Sequence, residues 1–178
     1  YLLYRRMDLK STGLRLEKYH NTILDGEIVT VNNDGQKIRL YLIFDIYFFD
    51  GRDVRGFPFA RKMNEIETFK KTGTGIPTSR YELLQDFMPV LEDISNPDYL
   101  NIQLKPFRFG NCDVENPTIF KESKILLDNI EKGSYQYPCD GLVYLPFEMA
   151  VMGDYSVSTK LEYQSKKENP LFLKNVKK

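Results

Sequence analysis

The sequence lacks several residues on which common classes of protein depend. It has no tryptophan, two cysteines and one histidine among its 178 residues. Cys112 and Cys139 are too few for a disulfide framework, which indicates a reducing, intracellular compartment and not a secreted protein. His20 has no second histidine with which to form a catalytic pair or a metal cluster, so we expect a structural or solvent-exposed role for it.

The chain also lacks long apolar runs and an overall charge. No apolar segment approaches the roughly 20 residues that span a membrane, and no signal peptide is visible, so we expect no membrane partner. The 25 basic residues balance the 25 acidic ones, so no global basic field indicates nucleic-acid binding. The composition that is present, 42% apolar with 12 Phe and 12 Tyr, is that of a globular domain.

Hydrophobic patterns predict strands first, then helices, then strands again. Strands are predicted over residues 1–7, 23–31, 37–49, 101–109 and 142–145. Helices are predicted over residues 59–71, from the capping-box pair Ser79 and Glu82 onward, and between an N-cap at Asn116 and Gly133. The sequence therefore predicts an α+β fold.

Three short acidic strings interrupt the apolar pattern. They read Leu24-Asp25-Gly26-Glu27, Phe44-Asp45 and Cys139-Asp140-Gly141-Leu142. A carboxylate at a strand end can hold a divalent cation, and a neighbouring glycine lets a ligand approach the backbone. Asp-Gly alone is more often a hairpin turn. The three strings together predict a site for a nucleoside triphosphate and its metal.

These strings resemble signature motifs of the covalent nucleotidyltransferases, the superfamily of mRNA capping guanylyltransferases and ATP-dependent DNA and RNA ligases. Residues 23–29 are similar to the third motif, residues 41–46 to the motif that supplies a base-stacking aromatic, and residues 139–144 to the fourth. Capping enzymes usually carry Asp-Gly in the fourth motif and ligases Glu-Gly, so Asp140 favours capping. The flanking sequence resembles capping enzymes of large DNA viruses.

The resemblance implies an α+β nucleotidyltransferase core of antiparallel β-sheets flanked by helices, with the nucleotide in a groove between sheets. The resemblance runs from about Tyr1 to Met152, and residues 1–178 are expected to form one nucleotidyltransferase domain, incomplete at both ends and without the C-terminal OB-fold domain of the family. It also implies mRNA 5′-cap guanylyltransferase activity, in which a lysine takes GMP from GTP and passes it to 5′-diphosphate RNA. The sequence contains no Lys-x-Asp-Gly string, so the nucleophile is expected upstream of Tyr1 and the fragment is expected to be inactive.

The resemblance also implies roles for individual residues. The side chains expected to bind GTP are Arg6, Glu27, Phe44 and Val143. The carboxylates expected to hold Mg²⁺ or Mn²⁺ near the α-phosphate are Asp25, Glu27 and Asp140. Phe44 is expected to stack on guanine and Val143 to cover the other face of the base. Against these roles stand simpler interpretations, in which Phe44 is a core residue and the Asp-Gly pairs are turns.

Two alternatives stay open at the level of sequence. One is the adenylation domain of an ATP-dependent DNA or RNA ligase, and the other is a non-catalytic module that binds nucleotide or RNA. For the capping interpretation, the expected partners are the 5′ end of RNA and RNA triphosphatase and cap methyltransferase domains on the same polypeptide or complex. The expected location is the host cytoplasm, in a viral factory, or the virion. Lys174 and Lys177 lie roughly where the fifth motif belongs but match it poorly.

Overall fold

The computed structural model describes residues 1–4, 6–73, 75, 78–96 and 98–151. Its strands are β1 (Leu2–Leu3), β2 (Leu9–Lys10), β3 (Ile23–Val31), β4 (Lys37–Phe49), β5 (Arg52–Asp53) and β6 (Asn101–Leu104). Its helices are α1 (Met63–Thr72), α2 (Arg80–Ile94) and α3 (Ile119–Glu131). The α+β class is therefore confirmed. None of the described helices is long and apolar enough to cross a membrane. Lys174 and Lys177 lie outside the described residues.

The chain divides into two compact units, between which it passes several times. Unit 1 comprises Tyr1–Arg15, Gly26–Phe44 and Val90–Tyr144. Unit 2 comprises Leu16–Asp25, Asp45–Pro89 and Leu145–Lys178, of which residues 145–151 are described. Strands β3 and β4 and helix α2 each contribute residues to both units, so each unit is built from segments that are distant in sequence.

Strands β3 and β4 have the predicted bounds and are neighbours in one sheet. The turn between them is built on Asn32, whose side-chain oxygen accepts from the N–H groups of Asp34 (3.0 Å) and Gln36 (2.8 Å). Gly35 has a φ of 77°, a backbone angle that residues other than glycine rarely adopt. The Asn-Asn-Asp-Gly sequence therefore closes the pair as predicted.

Unit 1 is organised around the first part of β4. Strand β6 pairs with it in parallel, with Leu42 opposite Gln103, whereas an antiparallel sheet was expected. The β4–β6 connection includes helix α2, and such a crossover is what a parallel pair requires. Leu40 and Leu42 are buried beneath Tyr137 and form the centre of this unit's core.

Unit 2 contains the end of β4, strand β5 and helix α1. Helix α2 begins with the predicted capping box, because the Glu82 carboxylate accepts from both the N–H (2.9 Å) and the hydroxyl (2.8 Å) of Ser79. Leu84 and Phe87 on this helix are fully buried, as its apolar periodicity predicts. Phe87 also meets the Phe49 ring edge-on, at 5.3 Å between centroids.

The strand predicted over residues 1–7 is wrong in extent. Only Leu2–Leu3 is extended, and it pairs with Leu9–Lys10. Between them the Met7 N–H donates to the Tyr4 carbonyl (2.8 Å), and Met7 has a positive φ of 65°. The chain therefore reverses where the apolar pattern predicted a continuous strand.

Two later strands also differ from prediction. The strand expected over residues 101–109 ends at Leu104, close to Pro106, which has no N–H to donate to a ladder. Residues 142–145 pair with no strand of the described part of the chain, so the strand predicted there is wrong. An extended segment without a neighbour has no partner for its backbone groups.

Helices α1 and α3 begin later than their sequences predicted. Helix α1 starts at Met63 and not at Phe59, which is buried at a bend before the helix. The Glu65 carboxylate then accepts from the Lys62 N–H (2.7 Å) and caps the helix. Helix α3 begins after Thr118 and not after Asn116.

Candidate nucleotide-binding site

A lysine, a glutamate and a phenylalanine meet at one place in unit 1. The Lys105 ammonium lies 3.1 Å from a carboxylate oxygen of Glu27 and 5.8 Å from the centroid of the Phe44 ring. The Lys105 N–H also donates to the carbonyl of Ile43 (2.7 Å), so its backbone continues the β4–β6 ladder beside Phe44. We call Glu27, Phe44 and Lys105 the cation–aromatic cluster.

This cluster is open to solvent. The side chains of Lys105 and Glu27 are 37% and 56% exposed, and Phe44 is half-buried. The Glu27 carboxylate is therefore largely in water, although it lies in an otherwise apolar strand. Phe44 is not sealed in the core, so part of its ring surface is available to a ligand.

Asp140 follows Cys139, whose thiol also responds to the charges of Lys105 and Glu27. Burial raises the pKa of the Cys139 thiol, the charge of Lys105 lowers it, and the charges of Asp140 and Glu27 raise it further. All three charged groups therefore act on one thiol. Cys139 itself packs partly buried against the core, as its sequence predicted. The space beside Gly141 is open, since no atom lies within 4 Å of the position that a Cβ would take.

The donor set for a metal in unit 1 is small. The described residues contain no group of three or more His, Cys, Asp or Glu side chains placed to hold a metal ion. Mg²⁺ is commonly held by one or two carboxylates together with substrate phosphates and water. Asp140 and Glu27 supply carboxylates of the type that such a set needs, and the nucleotide would bring the other ligands.

Asp25, the third predicted metal ligand, belongs to unit 2. Its carboxylate accepts a short hydrogen bond from the Tyr47 hydroxyl. Burial and then this bond to Asp25 raise the pKa of the Tyr47 hydroxyl above its ordinary value. The metal role of Asp25 stays a prediction, and a metal there would compete with Tyr47 for the carboxylate.

Gly26, between the two acidic residues of the third motif, has a structural function. A Cβ at Gly26 would lie 2.6 Å from the Tyr41 ring and 2.7 Å from the Leu42 carbonyl oxygen. Glycine is therefore needed here for the close packing of β3 on β4. The sequence interpretation, in which this glycine admits a ligand, is not needed to explain it.

The remaining predicted contacts lie on exposed parts of unit 1. Arg6 is exposed in the turn between β1 and β2, and Val143 is 83% exposed. Lys105 was not among the site residues predicted from the sequence. Its signal in the sequence was the string Leu104-Lys105-Pro106-Phe107, part of the flanking sequence that resembles capping enzymes of large DNA viruses.

A second ion pair, in unit 2, explains the acidic residue that follows Phe44. The Arg80 guanidinium donates to both carboxylate oxygens of Asp45, at 2.7 and 3.0 Å. Arg80 is 2% exposed and also donates to the carbonyls of Phe57 and Met149. Asp45 is thus tied into a buried structural network, which sequence reasoning missed because Arg80 lies 35 residues away.

No protein-family model matches this chain, and no curated protein matches it either. Function is therefore inferred from the arrangement of side chains in the cation–aromatic cluster and from the motif resemblance.

Proposed function

We propose that this chain is the GTP-binding part of an mRNA 5′-cap guanylyltransferase. The observation that carries the proposal is the cation–aromatic cluster, in which Glu27 holds the Lys105 ammonium beside the half-buried ring of Phe44. The ammonium lies over the Phe44 ring, so a base that stacks on this ring would contact the ammonium as well, and base–aromatic stacking is worth about 1–3 kcal/mol.

The charge of Lys105 supports guanine over adenine. Guanine presents two acceptors on one edge, N7 and O6, whereas adenine presents N7 beside an amino donor. A lysine ammonium has three donors and no acceptor, so it matches the guanine edge and meets a donor on adenine. This supports guanylyl transfer over the ligase alternative, as does Asp140 in place of glutamate.

Asp140 and Glu27 are the residues that would hold Mg²⁺ or Mn²⁺, and the cation would neutralise charge on the α-phosphate. In the proposed reaction a lysine nitrogen bonds to the α-phosphorus while the bond to the pyrophosphate oxygen breaks. The 5′-diphosphate of RNA then displaces the lysine from GMP. The nucleophile would come from a Lys-x-Asp-Gly motif, which the sequence printed here does not contain.

Calorimetric titration with GTP and ATP, each with Mg²⁺, tests the base preference. We expect GTP to bind more tightly than ATP to the parent chain. Lys105→Met retains the length of the side chain and removes its donors, so it should abolish the difference. Arg108→Met, which removes the nearby cation that pairs with Glu122 (2.6 Å), is the matched control and should leave the preference unchanged. Equal affinities of the parent chain for GTP and ATP would contradict the proposal.

A non-catalytic nucleotide- or RNA-binding module is the second candidate, because the cation–aromatic cluster could bind a nucleotide without any covalent step. The two candidates differ in covalent chemistry. If full-length protein incubated with labelled GTP and divalent metal retains acid-labile, alkali-stable label after denaturation, it is a guanylyltransferase. Full-length protein that binds GTP and retains no label is a binding module.

A further inference from the structure

Two tyrosines outside the cation–aromatic cluster stack on each other in unit 1. The rings of Tyr135 and Tyr137 are 5.6 Å apart between centroids and inclined by 23°. Tyr137 is buried against Leu40 and Leu42, whereas Tyr135 is only half-buried. Tyr137 therefore anchors the pair in the core, and Tyr135 extends an aromatic wall toward solvent.

A cavity of about 300 Å³ borders this pair. Its polar lining residues include Gln103, Ser134 and Gln136 as well as the two tyrosines, and none of the described residues that line it carries a charge. Its volume lies at the small end of the range for ligand sites. An uncharged lining of amides, a hydroxyl and tyrosine does not suit a phosphate or a metal ion. It suits a neutral planar ring with donors and acceptors on its edge.

The position of the cavity relates it to the cation–aromatic cluster. Gln103 pairs in register with Leu42, and these two residues precede Lys105 and Phe44 by two positions on their respective segments. Side chains two apart on a strand share a face and are separated by about 7 Å. The cavity is therefore adjacent to the proposed guanine site on one face of unit 1.

We infer that this cavity binds an unpaired base of a single-stranded RNA, stacked on Tyr135. Amide side chains that can hydrogen-bond a base edge, beside a partly exposed aromatic ring, form the usual environment for unstacked RNA bases. The inference depends on the proposed function only for identifying the strand as the acceptor RNA. The cavity by itself supports the binding of a base at Tyr135.

The test measures binding of a short fluorescein-labelled single-stranded RNA by anisotropy at one fixed salt concentration. Tyr135→Leu removes the stack and should weaken RNA binding about 5- to 150-fold. Tyr135→Phe keeps the ring and should bind within about twofold of the parent chain. Tyr99→Leu, at a tyrosine of unit 1 that is 57% exposed, is the matched control and should have no effect. GTP affinity should be unchanged in all three variants.

The outcomes separate this inference from the proposed function. Unchanged RNA affinity in Tyr135→Leu, or an equal loss in Tyr99→Leu, overturns the inference. Loss of GTP affinity with RNA affinity retained assigns the cavity to a free nucleotide and also overturns it. A chain that fails to bind GTP but loses RNA affinity in Tyr135→Leu supports the RNA site and contradicts the proposed function. Gln136→Ala, at an exposed lining residue, provides the same RNA measurement if Tyr135→Leu does not fold, with a loss expected.

Discussion

The two ion pairs next to strand β4 differ in burial and in the number of hydrogen bonds that join them. In unit 2, Asp45 and Arg80 are joined by two hydrogen bonds, and their side chains are 15% and 3% exposed. In unit 1, Glu27 and Lys105 share a single contact of 3.1 Å, with side chains that are 56% and 37% exposed. Phe44 and Asp45 are consecutive in sequence, yet one faces a solvated cation and the other a buried one.

The difference separates a structural pair from a candidate functional one. Arg80 uses four of its five N–H donors on Asp45 and on two backbone carbonyls, and its side chain is almost fully buried, so it is not accessible to a ligand. Lys105 is partly in water, and its ammonium has three donors, one of which reaches Glu27. A charge with unused donors beside an aromatic ring can recognise a ligand, whereas a charge whose donors are used stabilises the fold.

The largest effect is expected from breaking the buried pair. Asp45→Asn removes the charge that compensates Arg80 and should lower the free energy of unfolding by about 3–5 kcal/mol. Urea unfolding followed by circular dichroism measures this change. The matched control is Asp53→Asn, which breaks the more exposed pair with Arg55 (2.9 Å) and should cost less than about 1 kcal/mol. Similar losses in both variants would contradict a special role for the buried pair.

A smaller effect, on binding and not on stability, is expected at Phe44. Phe44→Leu keeps apolar bulk and removes the aromatic face, so GTP affinity should weaken by about 1–3 kcal/mol if the ring stacks on the base. Calorimetric titration with GTP and thermal unfolding should be measured on the same preparation. A lower melting temperature with unchanged GTP affinity would mean that Phe44 is only a core residue.

Local patterns predicted the parts of the fold that depend on local interactions. The bounds of β3 and β4 follow from apolar runs closed by the Asn32 turn, and the start of α2 follows from the capping box at Ser79. The site was harder to predict because its contacts join distant segments. Lys105 reaches Glu27 across 78 positions, and no local pattern specifies such a pairing. The motif resemblance identified Phe44 and Glu27 but not the cation between them.

The smallest effect on stability is expected from breaking the exposed pair of Glu27 and Lys105. Glu27→Gln leaves Lys105 charged and still solvated, so the free energy of unfolding should change by less than about 1 kcal/mol. The same substitution removes the carboxylate that holds the ammonium beside Phe44 and is a proposed metal ligand. GTP affinity should therefore fall in the presence of Mg²⁺ by more than stability does. Urea unfolding and calorimetric GTP titration of this one variant measure both quantities.

If Glu27→Gln destabilises the chain as strongly as Asp45→Asn while GTP binding is unchanged, the exposed pair is structural as well. The candidate nucleotide site would then depend on Phe44 and, outside the cation–aromatic cluster, on Asp140.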